Sequence, residues 1–190
     1  MRLGERLLLA VVAAGGPSLG GCVVHAYTGT PPPDNAPAAT PAPQAAAQHE
    51  KIQHVTGANY VIHSSQNQNL CVDAKGDKPA DRTTLELYGC HGKENQRWAF
   101  EDRAQNASSI VGIGNLCIDV TEAKTADGSP TELFKCGAQK NQGWRHFEDG
   151  RIRELQTGKC LTASGEAQGA AIVISHCDPN NPGQVWTLTQ

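Results

Sequence analysis

Apolar and polar residues alternate in short bursts from about Gly57 to the end of the chain, and turn formers break every burst. Tyr60-Val61-Ile62-His63, Asn69 to Ala74, Thr84 to Gly89 and Arg97 to Glu101 each alternate with a period near two, as half-buried strands do. Between them stand Ser64-Ser65-Gln66-Asn67, Lys75-Gly76-Asp77-Lys78-Pro79 and His91-Gly92-Lys93-Glu94. The plan then recurs twice, with turns at Gly112-Ile113-Gly114-Asn115, Asp127-Gly128-Ser129-Pro130 and Asp178-Pro179-Asn180-Asn181. No segment sustains a helical period. Four strands in each of three copies predict an all-β domain of about twelve strands. Threefold closure of such a sheet removes its exposed edges.

The copies carry common markers. Gln96-Arg97-Trp98, Gln142-Gly143-Trp144 and Gln184-Val185-Trp186 contain all three tryptophans, 46 and 42 residues apart. A cysteine precedes each tryptophan by eight or nine positions (Cys90, Cys136, Cys177), and a further one lies 17 to 19 positions earlier (Cys71, Cys117, Cys160). The tryptophans read as core residues, since they persist in a third copy that loses much else. Aromatics are only 5% of the chain, so the core needs covalent support. Even, regular cysteines in an exported chain form a disulfide framework. The repeat logic favours Cys71–Cys90, Cys117–Cys136 and Cys160–Cys177. There is no C-x-x-C pair and no histidine recurs at one repeat position, so neither a metal nor a cofactor is expected.

The first fifty residues have a different character. Arg2 and Arg6, then the apolar run Leu7 to Ala14, then small residues, have the layout of a signal peptide too short to span a bilayer. Leu19-Gly20-Gly21-Cys22 resembles the lipobox of bacterial lipoproteins, and Cys22 is the one cysteine that the repeats leave over. Residues 1–21 are therefore expected to be cleaved and Cys22 lipidated, which would hold the protein on a membrane. From Tyr27 to Gln48 the chain is mostly Pro, Ala and Thr, a composition that stays disordered and extended. Residues 22–56 are assigned to this linker and 57–190 to the folded domain. The net charge is −3 with no Lys/Arg cluster, which argues against a nucleic-acid partner. The expected state is a monomer.

Strand alternation sorts side chains by face. Leu70, Val72, Leu85 and Leu87 mark a core side. Asp73, Glu86 and Tyr88 fall on the opposite side, clustered around a Cys71–Cys90 bridge. Repeat two reproduces the set as Asp119, Glu132 and Phe134 around Cys117 and Cys136. Repeat three has Thr162, Val173 and Ser175 instead. A ring beside carboxylates and amides suits a sugar: the ring covers the apolar face of a pyranose, and the polar groups bond its hydroxyls. The carboxylate pairs Asp73/Glu86 and Asp119/Glu132 also admit a glycosidase reading. That reading needs a desolvated carboxyl, which a shallow exposed face does not provide. Replacing Asp73, Tyr88, Asp119 or Phe134 is expected to leave thermal unfolding close to the parent's, because these side chains lie outside the core.

The Q-x-W signatures, the paired cysteines and the Cys71-Val72-Asp73 and Cys117-Ile118-Asp119 runs resemble the ricin B-type lectin family over residues 57 to 190. The resemblance implies a β-trefoil fold. It implies that Asp73 and Asp119 bind sugar hydroxyls, that Tyr88 and Phe134 stack on the ring, and that Asn95 and Asn141 complete the polar contacts. Gln96 and Gln142 support the site. Glu86 and Glu132 stand where a glutamine is common, which removes a donor and adds a charge. The expected partner is a galactose- or xylose-type glycan, bound in repeats one and two and not in repeat three. The expected function is non-catalytic carbohydrate binding on the bacterial cell envelope, at the outer membrane where the host has one. A structural or protein-binding trefoil without a sugar ligand is the alternative.

Overall fold

The computed structural model describes residues 54–102 and 108–190. The expected signal peptide, Cys22 and the expected linker up to residue 53 lie outside the described residues. Within them the chain forms the expected twelve strands. Repeat one contributes β1 (Asn59–Ser64), β2 (Leu70–Ala74), β3 (Thr83–Gly89) and β4 (Trp98–Asp102). Repeat two contributes β5 (Ser108–Gly112), β6 (Leu116–Val120), β7 (Ser129–Lys135) and β8 (Trp144–His146). Repeat three contributes β9 (Ile152–Glu154), β10 (Cys160–Ala163), β11 (Ile172–Ser175) and β12 (Trp186–Thr189).

The strands form a β-trefoil. The first and last strands of each repeat make the barrel: β1 pairs with β4, β4 with β5, β5 with β8 and β8 with β9, while β12 returns to β1. The middle strands make three hairpins, β2–β3, β6–β7 and β10–β11. These lean on one another through Thr84 opposite Glu132 and Val173 opposite Pro130.

Alternation along these strands aims Ile62, Val72, Leu87, Phe100, Ile110, Ile118, Leu133, Ile152, Leu161 and Ile174 into one shared core, all fully buried. The three tryptophans are buried with it, and each indole N–H donates to a carbonyl of its own repeat's second strand. Trp98 Nε1 reaches Val72 O at 3.1 Å, Trp144 Nε1 reaches Ile118 O at 2.9 Å and Trp186 Nε1 reaches Leu161 O at 2.9 Å. Tryptophan recurs because it fills volume and satisfies a buried carbonyl at once. The disulfides are Cys71–Cys90, Cys117–Cys136 and Cys160–Cys177, with Cα atoms 5.2, 5.0 and 5.1 Å apart. Each closes a loop worth about 3 kcal/mol in the chain-entropy picture.

The packed chain reaches back to His54, ahead of the expected start at Gly57. His54 stacks on Phe100 with centroids 4.1 Å apart, and Val55 N donates to Tyr60 Oη at 2.9 Å. Burial and the neighbouring His146 hold the His54 imidazole well below its ordinary 6.5, at about 4; burial lowers His146 as well. Burial favours the neutral form of both rings, so stability falls as pH drops below the ordinary 6.5, for His54 until about 4.

Gly112 closes β5 directly under Trp98. A Cβ there would lie 2.5 Å from Trp98 Cζ3 and 2.8 Å from its Cε3, and the ring has no room to retreat. Gly112→Ala is expected to cost about 2 kcal/mol or more by overpacking, read as a lower midpoint in urea unfolding.

Candidate functional site

Register brings the sugar-site candidates together. In the β2–β3 hairpin Asp73 stands opposite Glu86 and Cys71 opposite Tyr88. In β6–β7 Asp119 stands opposite Glu132 and Cys117 opposite Phe134. Opposed residues share a face, so each hairpin presents two carboxylates and a ring beside its disulfide. A short 3-10 turn before β4 (Glu94–Gln96) folds Asn95 and Gln96 onto the first cluster. Its counterpart before β8 (Lys140–Gln142) does the same with Asn141 and Gln142. Nothing in the strand alternation announces these turns.

The amides clamp the aspartates. Asn95 Nδ2 and Gln96 Nε2 both donate to Asp73 Oδ2 at 2.9 Å. Gln96 also donates to Gly89 O at 3.0 Å and accepts from the backbone N–H groups of His91 and Gly92 at 2.8 and 3.1 Å. It ties three segments together and has little left for a ligand, which makes it a positioning residue. In repeat two Asn141 Nδ2 donates to Asp119 Oδ1 at 2.9 Å and Gln142 Nε2 to Asp119 Oδ2 at 2.8 Å. Repeat three keeps the clamp without the charge: Gln184 Nε2 donates to Thr162 Oγ1 at 3.1 Å and to His176 O at 2.8 Å. Val173 stands opposite Thr162, Ser175 opposite Cys160, and Gly183 precedes Gln184.

One expectation needs correction. The carboxylates are not on a shallow exposed face. Asp73 is 2% and Asp119 5% exposed, and Glu86 and Glu132 are buried as well. The disulfide, the 3-10 turn and the loop of the preceding repeat cover the outer side of each hairpin, so β2 is buried on both faces. Burial pushes the Asp73 carboxyl above the usual aspartate range, against hydrogen bonds from Gln96 and Asn95 and the charge of His91. Burial also raises Asp119, with Glu132 adding to it and Gln142, Asn141 and Arg82 opposing.

The first site is a depression of about 330 Å³ lined by Asp73, Lys75, Glu86, Tyr88, His91 and Asn95, among others. Tyr88 is 41% exposed, an open ring at its edge. Lys75 Nζ pairs with Glu86 at 2.8 Å, and His91 Nε2 lies 3.6 Å from Asp73 Oδ2. One buried acceptor is left without a partner, Asn95 Oδ1, and the two amides engage Asp73 through its Oδ2 alone. The second depression, about 220 Å³, is lined by Asp119, Glu122, Glu132, Phe134, Gln139 and Asn141. Arg82 comes to it from repeat one, its guanidinium carbon 5.9 Å over the Phe134 ring. Gln168 of repeat three likewise touches the first site's border, accepting from Gly89 N at 3.3 Å. Each site thus borrows a residue from the repeat before it in the trefoil. Arg82 and Gln168 escape a reading confined to one repeat, because their contacts cross between repeats; Lys75 and His91 escape strand alternation, because they stand in turns.

The sequence matches the family model of the ricin-type beta-trefoil lectin domain over residues 58–186. The chain belongs to that family. Comparison with curated proteins gives no match. Among solved structures, the designed threefold-symmetric protein ThreeFoil superposes with a TM-score of 0.64 at 22% identity, over 70% of this chain and 98% of that one. An exo-β-1,3-galactanase from Clostridium thermocellum superposes at 0.63 and 19% identity, over 73% of this chain and 31% of that one. A Polyporus squamosus lectin bound to a human-type influenza-binding epitope superposes at 0.62 and 17% identity, over 72% and 50%. The chain therefore spans half or less of the length of the last two. At these identities the likeness shows the fold alone.

Proposed function

We propose that the protein is a non-catalytic lectin carried on the bacterial envelope by a lipid at Cys22, with sugar sites in repeats one and two. The carrying observation is Asn95 Oδ1, a buried acceptor without a partner, held beside the Asp73 carboxylate and the open ring of Tyr88. A buried acceptor without a donor calls for a ligand that brings one, as a sugar hydroxyl does. Repeat two places Asp119, Asn141 and Phe134 in the same register, and repeat three has Thr162, Gly183 and Ser175 in their places. Family membership supports this reading. Against catalysis, two amides hold each aspartate as an acceptor, and Glu86 is bound to Lys75. Retention on a matrix of galactose- or xylose-type glycan, with elution by the free sugar, tests the reading. A structural or protein-binding trefoil would flow through.

Much of a sugar at such a site stays in water, so a single site should bind at roughly millimolar affinity, about −4 kcal/mol. Two sites per domain and many domains per membrane raise avidity about 10²-fold or more on a polyvalent surface.

The ionised aspartates accept the sugar hydroxyls, and both carboxyls lie above the ordinary 3.8. Protonation on the way down turns an acceptor into a donor. Binding should therefore fall with pH at values higher than a free aspartate would give, in a titration repeated across pH. Losing these two charges does not itself unfold the protein, since raised carboxyl values mean that protonation favours the folded state.

Three disulfides fit an oxidising compartment. The residue after Cys22 is Val23 rather than Asp, which favours the outer membrane in a two-membrane host. Cys22→Ala should move the protein from the membrane fraction to the soluble one. A variant that still pellets with membranes places the anchor elsewhere.

A further inference from the structure

The two sites differ in how their glutamates are neutralised. Glu86 receives Lys75 Nζ at 2.8 Å. The Glu132 side chain, in a residue only 6% exposed, accepts no hydrogen bond at its carboxylate among the described residues, and its one ion contact there is Arg82 Nη1 at 4.0 Å. It lines the second depression together with Asp119, which stands opposite it across the hairpin. Arg82 is a poor partner. Its guanidinium stands over the Phe134 ring and stays 4.0 Å from the carboxylate, beyond hydrogen-bond distance. Its backbone sits at φ +68°, a strained position for a non-glycine, held by Arg82 N donating to Leu133 O at 2.7 Å. Glu122, the third carboxylate of the lining, pairs with Lys124 at 2.9 Å. The depression thus holds an aromatic ring, an aspartate already engaged by its amides, and one buried carboxylate whose only cation stands loosely at the rim.

We propose that the repeat-two site selects an amino sugar, whose ammonium group displaces Arg82 and bonds Glu132 beside the Phe134 ring, whereas the repeat-one site takes neutral sugars. This rests on the lectin reading of both sites. A protonated amine is compact enough to meet the carboxylate at hydrogen-bond distance, and a cation beside an aromatic face gains further attraction. A hydroxyl in the same place would donate only a neutral hydrogen bond. N-acetylation removes the charge and adds bulk where Arg82 now lies. A uronic acid would find Arg82 but would set its own carboxylate against Asp119 and Glu132. In repeat one Lys75 already occupies the equivalent carboxylate, so an amine there would have to displace a well-formed ion pair.

The test is a site-resolved NMR titration of the isotope-labelled full chain, following the side-chain amide signals of Asn95 and Asn141. The probes are galactose, galactosamine, N-acetylgalactosamine and galacturonic acid, with their gluco counterparts, at about pH 6 where a sugar amine is protonated. The Asn141 signal should saturate with an amino sugar at about one-tenth the concentration needed for the neutral parent, and the Asn95 signal should show no such preference. Glu132→Gln should bring the ratio close to one. Arg82→Ala, an exposed change, should raise it by removing the competing cation. Added salt should weaken it. Neutral sugars binding both sites without an amine preference overturns this inference and leaves the lectin reading intact. So does a preference that survives Glu132→Gln, or one equal at both sites. Preference for the uronic acid at Asn141 overturns it in favour of Arg82 as the recognising group. Silence of both signals towards every probe overturns the lectin reading itself.

Discussion

Replacing both Asp73 and Asp119 with alanine should abolish sugar binding and also lower the stability of the fold, by about 1–2 kcal/mol per site. The binding loss follows from position: each carboxylate is the central acceptor of its depression. The stability loss follows from the amides. Asn95 and Gln96 both donate to Asp73, and Asn141 and Gln142 both donate to Asp119, at 2.8–2.9 Å. Without the carboxylates, buried N–H donors are left unpaired. The cost stays modest because burying the charge was itself unfavourable, as the raised carboxyl values show. Each single change should silence its own site and spare the other, since the sites share no residue. Tyr88→Ala separates the two effects: the ring is half exposed, so binding at the first site should go while unfolding hardly moves. Thr162→Ala should leave both titrations untouched and cost a little stability through Gln184, which donates to Thr162 Oγ1.

Removing the Cys160–Cys177 bridge by paired alanine changes should cost roughly 2–5 kcal/mol and leave both sugar sites working. Removing Cys71–Cys90 should cost a similar amount and also disturb the first site. The difference is one of place. Cys71 stands opposite Tyr88 in register, and Asp73 lies two residues on, so that bridge fixes the strands that carry the ligand groups. The third bridge fixes strands whose equivalent positions are Thr162, Val173 and Ser175. Urea unfolding and sugar titration on the same preparations separate the outcomes. Equal loss of binding from both bridges would mean that the hairpins act as one unit and not as separate sites.

The fold was legible because its markers are local and recur. Period-two alternation placed β1 to β4 within a residue or so of their ends. The spacing of Cys71 to Cys90, matched in two further copies, named the disulfides that the structure contains. That Asp73, Glu86 and Tyr88 share one face, and Asp119, Glu132 and Phe134 another, was legible for the same reason, since opposed residues in a hairpin share a face. Burial was not. Alternation tells which side of a strand a residue takes, and it does not tell what covers that side. Asp73 and Asp119 read as outward and lie buried because a 3-10 turn and a disulfide close over them. Arg82 was invisible for a related reason. It belongs to repeat one by sequence and to the repeat-two site by position, and a pattern found by aligning repeats hides residues exchanged between them.

The central claim is that repeats one and two hold sugar through Asp73 and Asp119. A glycan array probed in parallel with the parent protein and the Asp73→Ala/Asp119→Ala variant, each first shown to be folded by its melting curve, tests it most directly. The account predicts a defined set of bound glycans for the parent and none for the variant. The same glycans bound by a folded variant, or none bound by the parent, would contradict it.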